Sequence, residues 1–517
     1  MHLKNLTLFL ILAVQIINLW ECKLDFSRIP ALRARTVPPA SHIIDGERRA
    51  ASDGNTLDVT SPIDGNLLTT IPRGTAEDAE AAILSARSAF DDGRWSLLPP
   101  AARKKAMLKW ADLIEAEAEE LAVLGVRDNG TEIGMAFKAE PLSAVGTIRH
   151  FAEAIDKIYG EIAPTAPDAL GLIHKQPVGV VGAIVPWNFP LMIGSWKLGP
   201  ALAAGCTVVL KPAETASLTL VRLAELALDA GIPPGVLNVV TGEGSVVGAA
   251  IAESHDVDVL VFTGSGATGR RLLEASARSN LKRVYLELGG KSPNIVFADA
   301  PNLDEAAKVS AAGIFRNSGQ VCIAGSRLLV ERDIHDAFVQ KLVAHAEAMQ
   351  VGDPLDPGTN AGAVNSERQL LQNLAFIDEA RAAGRNIATG GTRILQETGG
   401  TYMAPTIVTG VAADDRIVRD EVFGPVLTVQ AFDTEDQAVA LANGSDYGLA
   451  AGVWTSNLSR AHRMIKRIQA GVVHVNTYGG ADITVPLSGV KQSGNGHDKS
   501  LHAFDKYLDL KTAWIKI

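Results

Sequence analysis

The chain has 517 residues, enough for roughly three domains at about 150 residues each. Its 47% hydrophobic and 21% charged content is that of a soluble globular protein. A formal charge of −10, from 48 basic and 58 acidic residues with no Lys/Arg-rich tract, argues against nucleic-acid binding and leaves a cytoplasmic enzyme of small molecules as the default expectation.

Leu6 to Trp20 is a mostly apolar run preceded by Lys4, like the start of a secretory signal, but Gln15 and Asn18 interrupt it and no small-x-small site follows. It is also shorter than the ~20 residues of a membrane span. The expectation is an extension or a start assigned too early, with no membrane role. Pro30, Pro38 and Pro39 mark residues 30 to 41 as a linker. Thr75 and Asp78 approximate a capping box, followed by an apolar face of Ala79, Ile83, Ala86 and Phe90. A second helix is predicted from about Ala102 to Val126.

From residue 179 short apolar runs alternate with helix-length segments. The runs are Val180–Val185, Thr207–Leu210, Val236–Val240, Val257–Phe262 and Val284–Leu286. Such alternation predicts βαβ units and a parallel sheet, whose ligands bind beyond the carboxyl ends of the strands. A second α/β pattern begins after about residue 289, with helices near 303–315 and 333–349 and strands near 326–331 and 425–431.

The segment Phe262-Thr263-Gly264-Ser265-Gly266-Ala267-Thr268-Gly269 follows a strand and opens a helix. Gly264, Gly266 and Gly269 satisfy G-x-G-x-x-G, in which glycines let backbone approach a pyrophosphate and the helix N-terminus favours its charge. A tight turn would produce the same residues. Such a loop calls for a ribose-binding acid about 20 residues on. Glu287 stands 23 residues after Gly264. It ends the next strand among apolar neighbours, where a carboxyl with a raised pKa would instead serve as a general base. The residues leave both roles open until a nucleophile is found. The three cysteines, Cys22, Cys206 and Cys322, suit neither a disulfide framework nor a metal site, and so few thiols fit a reducing compartment.

Cys322 lies in Asn317-Ser318-Gly319-Gln320-Val321-Cys322-Ile323-Ala324-Gly325, which resembles the nucleophile segment of the aldehyde dehydrogenase superfamily. Leu286-Glu287-Leu288-Gly289-Gly290-Lys291 resembles its general-base segment. Pro186-Trp187-Asn188-Phe189-Pro190, Leu210-Lys211-Pro212-Ala213-Glu214 and Glu421-Val422-Phe423-Gly424-Pro425-Val426 resemble three further signatures. The resemblance runs from about residue 42 to the end. It implies an α/β architecture with a Rossmann-like cofactor domain (42–154 and 178–289), an α/β catalytic domain (290–490) and oligomerisation segments (155–177 and 491–517), preceded by an extension and linker (1–41).

The resemblance further implies NAD-dependent oxidation of aldehydes to acids, with NADP as an alternative cofactor, by a homodimer or homotetramer. Cys322 would be the nucleophile and Glu287 the base. The Asn188 amide and the Cys322 N–H would hold the oxyanion, donors whose loss costs about 2.7–4 kcal/mol in other enzymes. Lys211 and Glu214 would meet the adenosine ribose, with Trp187 as an adjoining wall. Gly264, Ser265 and Gly269 would lie near the pyrophosphate, and Leu288, Glu421 and Phe423 near the nicotinamide end. Three positions depart from the family pattern: Gly266 for a threonine, Leu487-Ser488 for Phe-Gly, and Cys206, whose Ala-rich setting predicts packing. Ile155 to Glu161 and Val490 to Ala503 resemble bacterial enzymes of polyamine breakdown, those acting on 4-(γ-glutamylamino)butanal and 4-guanidinobutanal. A broad aliphatic aldehyde dehydrogenase is the alternative. A coenzyme-A-acylating relative would usually lack Glu287, and a non-catalytic homologue would lose Cys322 or Glu287. Asp482, in a loop that would border the substrate tunnel, is expected either to be solvated or to attract a cationic tail.

Overall fold

The computed structural model describes residues 24–480 and 482–517. The apolar run at residues 6–20 and Cys22 lie outside them. Two seven-stranded sheets form the centre of the molecule. The first has the spatial order Arg283–Glu287, Val259–Thr263, Val180–Ile184, Thr207–Lys211, Leu237–Val239, His42–Ile44 and Glu47–Arg49. Its first five strands are parallel, and the two N-terminal ones close the edge antiparallel. All five strands predicted from the apolar runs are present, with ends shifted by up to two residues. Apart from exposed Arg283 and half-buried Tyr285 and Thr263, their side chains are buried on both faces, which is why they read as continuous apolar runs without alternation.

Chain order reverses between Val180–Ile184 and Val259–Thr263. Connections leave these neighbouring strands in opposite directions and open a crevice at their carboxyl ends, the usual ligand position on such sheets. The second sheet is ordered Asn386–Thr389, Thr406–Thr409, Val426–Phe432, Arg327–Glu331, Pro293–Val296, Ala450–Trp454 and Val472–Val475, with its first strand antiparallel. A third, antiparallel sheet joins Leu508–Lys516 to Ala169–Pro177 and Glu161–Ala163.

Two expectations are corrected. The stretch expected as a linker begins inside a helix, Ile29–Arg33, with Pro30 in its first turn. Ile29 and Leu32 are buried in one cluster with Ala118, Ala122 and Val126, so apolar anchoring overrides the proline signal. The helix expected at 102–126 is two, Pro100–Ala116 and Ala118–Asn129. The break is at Glu117, whose carboxylate is bonded by Arg222 from a distant helix. The capping box at Thr75 and Asp78 is present in both directions. The helices at Leu303–Phe315 and His335–Glu347 lie where the pattern put them.

Candidate active site

The nucleophile segment follows the helix Leu303–Phe315 through a tight turn. Asn317 and Ser318 are both left-handed, with φ of 50° each, a conformation costly for residues with a β-carbon. Gly319 continues the turn at φ 72°, and a β-carbon there would sit 2.0 Å from the Gly424 carbonyl oxygen. This path carries Cys322 to the crevice, where it is partly buried. Burial pushes its thiol up to about 12, and the carboxylates of Glu421 and Glu287 push the same way. Asn188, buried just past the end of Val180–Ile184, donates from Nδ2 to the Gln320 carbonyl at 2.8 Å. Its amide therefore lies against the nucleophile segment, with a second N–H to offer.

Glu287 ends its strand as predicted and is buried. Its Oε1 has no hydrogen-bond partner. Residues 493–495 run along this strand end as an extra pairing segment: Leu288 N–H donates to Ser493 O at 2.8 Å and Asn495 N–H to Leu286 O at 3.0 Å. Gly494 is obligatory there, because at φ 135° a β-carbon would lie 1.9 Å from the Leu286 carbonyl oxygen. Burial raises the Glu287 carboxyl well above the ordinary carboxylate range, and Asp498 raises it further. Lys197 and Lys506 oppose the shift. Both lysines are ion-paired to Asp498, and all three side chains are buried.

Glu421 reaches over Gly289, where a β-carbon would meet its Oε2 at 2.0 Å, and accepts from Gly290 N–H at 2.9 Å. Burial pushes it up to about 7. Trp187 and Phe423 meet edge to face, centroids 5.3 Å apart. Lys291 is buried and its Nζ has no hydrogen-bond partner; burial pulls it down to about 7.

At the other end of the crevice, Lys211 Nζ lies 3.1 Å from Glu214 Oε1, which also accepts from Gly244 N–H at 2.6 Å. Ser265 caps the helix Gly266–Arg278 by accepting from Thr268 N–H. Beside it the buried Thr263 Oγ1 is unpartnered. Gly269 lets this helix approach the side chains of Leu286 and Leu288, which a β-carbon would meet at 3.1–3.3 Å. The Leu288 side chain is thus core. At Gly266 a β-carbon would meet only Arg270, at 3.3 Å. Cys206 is buried, as expected of a packing residue.

Sequence reasoning missed Lys197, Asp498, Lys506 and Lys291. Lys197 did carry a signal, since it is flanked by Trp196 and Leu198 in a helix buried along nearly its whole length. Asp482 is exposed, accepts from Thr484 N–H at 2.9 Å, and feels the charges of Lys499 and His150.

The family model described as "Aldehyde dehydrogenase family" matches residues 49–513. The NADP/NAD-dependent aldehyde dehydrogenase PuuC of Escherichia coli is 50% identical over 474 residues, 92% of this chain and 95% of that protein. A mutant of the P. syringae AldA indole-3-acetaldehyde dehydrogenase, solved with NAD+ and IAA, superposes with a TM-score of 0.94 at 50% identity, covering 96% of this chain and all of that one. The gamma-glutamyl-gamma-aminobutyraldehyde dehydrogenase of Burkholderia cenocepacia gives 0.93 at 49% identity, covering 95% and 100%. The nucleophile, base and glycine-loop segments fall within the matched region and converge on one crevice. The chain belongs to the aldehyde dehydrogenase family.

Proposed function

We propose that this protein oxidises aldehydes to carboxylic acids with NAD, through a thioester on Cys322 and with Glu287 as the base that releases it. The observation that carries this reading is a buried carboxyl with an unpartnered oxygen, Glu287, close enough to Cys322 for its charge to raise the thiol.

The crevice suits a dinucleotide. Lys211 and Glu214 stand where an adenosine ribose would lie, Thr263 Oγ1 is an orphaned polar atom beside the capped helix N-terminus, and Glu421 overhangs Gly289. In this reading Gly264 and Ser265 lie near the pyrophosphate, Gly269 seats the helix that follows them against Leu286 and Leu288, Trp187 and Phe423 form walls, and Leu288 contributes its backbone. When bound, NAD supplies the hydride acceptor. Cys322 Sγ bonds to the aldehyde carbon as its proton passes to water and the carbonyl π pair moves onto oxygen. The Asn188 Nδ2 and the Cys322 N–H then hold the oxyanion. After oxidation, Glu287 takes a proton from water, the hydroxide adds to the thioester carbon, and collapse returns the acid and the Cys322 thiol.

The substrate class we assign is an aminoaldehyde of polyamine breakdown. Support comes from the similarity to the gamma-glutamyl-gamma-aminobutyraldehyde and aminoacetaldehyde dehydrogenases, the latter of Pseudomonas aeruginosa at 44% identity. We assign residues 42–154 and 178–289 to the cofactor domain, 290–490 to the catalytic domain, and 155–177 with 491–517 to oligomerisation. The third sheet supports the last assignment, for it exposes Ile162, Leu510, Trp514 and Ile515, and Leu510 lines a surface cavity of about 580 Å³. A homo-oligomer working in the cytoplasm fits these features and the sparse cysteines.

The test is NADH absorbance with butanal, 4-guanidinobutanal and 4-(γ-glutamylamino)butanal, each with and without coenzyme A. Turnover without coenzyme A and higher catalytic efficiency on the nitrogen-containing aldehydes is expected. A requirement for coenzyme A would overturn the hydrolytic step, and equal efficiency on all three would reduce the protein to a broad aliphatic enzyme.

A further inference from the structure

The turn before Cys322 places two consecutive non-glycine residues, Asn317 and Ser318, in left-handed backbone. Such strain persists only where the surroundings over-determine it. Here two other segments do so. From residues 129–132, the Glu132 carboxylate accepts from Asn317 N–H at 3.1 and 3.2 Å, and Thr131 Oγ1 donates to Asn317 Oδ1 at 2.8 Å. From residues 362–365, the Gly362 carbonyl accepts from Ser318 Oγ at 2.7 Å, and Asn365 N–H donates to Gln320 Oε1 at 2.8 Å. Glu132, Asn317, Ser318 and Gln320 are all buried. The chain of contacts continues to the chemistry. The Asn317 amide donates to the Gln320 carbonyl at 3.4 Å, the same oxygen that accepts from Asn188 Nδ2.

We infer that Glu132 is a positioning residue for the reaction. Its carboxylate fixes the left-handed turn that sets the Cys322 sulfur and the Asn188 amide relative to each other. The inference rests on Cys322 being the nucleophile. Apart from Arg316, whose charge reaches it, Glu132 meets backbone donors, including Gly362 N–H. A carboxylate offers acceptors to both of those donors, whereas an amide turns an NH₂ toward one of them. Removing one of two such bonds next to a strained turn leaves other conformers of the turn within reach.

The test uses the full chain with the substitutions E132Q and T131V and three readouts: the NADH burst rate constant on rapid mixing, the rate of Cys322 alkylation by iodoacetamide followed by peptide mass spectrometry, and NAD affinity by fluorescence titration. Both variants should slow the burst, E132Q by about ten-fold, the size of one lost buried hydrogen bond. Both should change the alkylation rate and leave NAD affinity as in the parent. A lower melting temperature with parental burst and alkylation rates would show that Glu132 only packs, and overturn the inference. A parent that forms no NADH from any of the aldehydes would sink the dehydrogenase reading, while alkylation would still report on the turn.

Discussion

The two ends of the crevice differ in how their charged side chains are paired. At the Lys211 end, charge is matched before any ligand arrives: the lysine sits on Glu214, and that carboxylate is also bonded by Gly244 N–H. At the Cys322 end, Glu287 Oε1 and Lys291 Nζ are buried without hydrogen-bond partners. The Cys322 thiol and the Glu421 carboxyl are pushed toward their neutral forms. A binding end gains from groups already aimed at a ligand. A reacting end needs groups whose proton affinity is displaced and whose lone pairs are not committed, and it bears the cost of burying them. In the proposed function the contrast is one between holding the cofactor and transforming the substrate.

The sharpest way to break this contrast is at Glu287. Glu287→Gln should slow acyl release by about 10²–10⁴-fold while leaving the first NADH burst, so rapid mixing would show a burst with little turnover. The pH profile fixes the sign. The base acts when deprotonated, and burial with Asp498 raises its proton affinity. Acyl release in the parent should therefore climb as pH rises through that raised value, well above the ordinary 4.5, and level off beyond it. The variant should lose this limb. Steady-state turnover like the parent's would make Glu287 a structural residue and erase the distinction between the two ends.

A smaller effect is expected at the matched end. A carboxylate at Glu214 accepts from ribose hydroxyls and repels a 2′-phosphate. Glu214→Gln should thus narrow the preference for NAD over NADP by about five- to ten-fold in catalytic efficiency, the scale of one charge-assisted hydrogen bond. The burst rate at saturating NAD should not change, and a parent with equal or better catalytic efficiency on NADP than on NAD would contradict the assignment.

The smallest effect belongs to the rim. Asp482 is exposed and faces Lys499 and His150, so part of its charge is already offset. Asp482→Asn should raise KM for 4-guanidinobutanal by about two- to five-fold, as for an exposed ion pair, and leave butanal unchanged. Equal effects on both would mean that its bond to Thr484 N–H shapes the loop and that its charge reads nothing.

The strands of the first sheet were legible because both faces are covered, which leaves continuous apolar runs in the sequence. Cys322, Glu287 and Asn188 were legible through local signatures, since each sits at a strand or helix end whose neighbours are fixed by sequence. What escaped is held by pairs far apart in the chain. Lys197 meets Asp498 across 301 residues, and Glu132 meets Asn317 across 185. No local pattern encodes such pairings, which exist only once the sheets pack. The break at Glu117 escaped for the same reason, because its partner Arg222 lies on another helix. The helix Ile29–Arg33 was hidden by its proline, which is tolerated in a first turn.

The segment 493–495, which runs along the strand of Glu287, has a consequence for synthesis. Leu286 and Asn495 are 209 residues apart, and Asp498 and Lys506 emerge later still. A ribosome that has made the chain through residue 480 has produced every strand of both large sheets, Cys322 included. At that stage the edge strand Arg283–Glu287 still lacks its partner segment, and Glu287 lacks the lysine–aspartate cluster. Glu287 is therefore among the last parts of the molecule to reach the surroundings it has in the folded chain. A chain of that length holds Cys322 without the segment that closes the sheet edge beside Glu287, and an open edge is prone to mispairing.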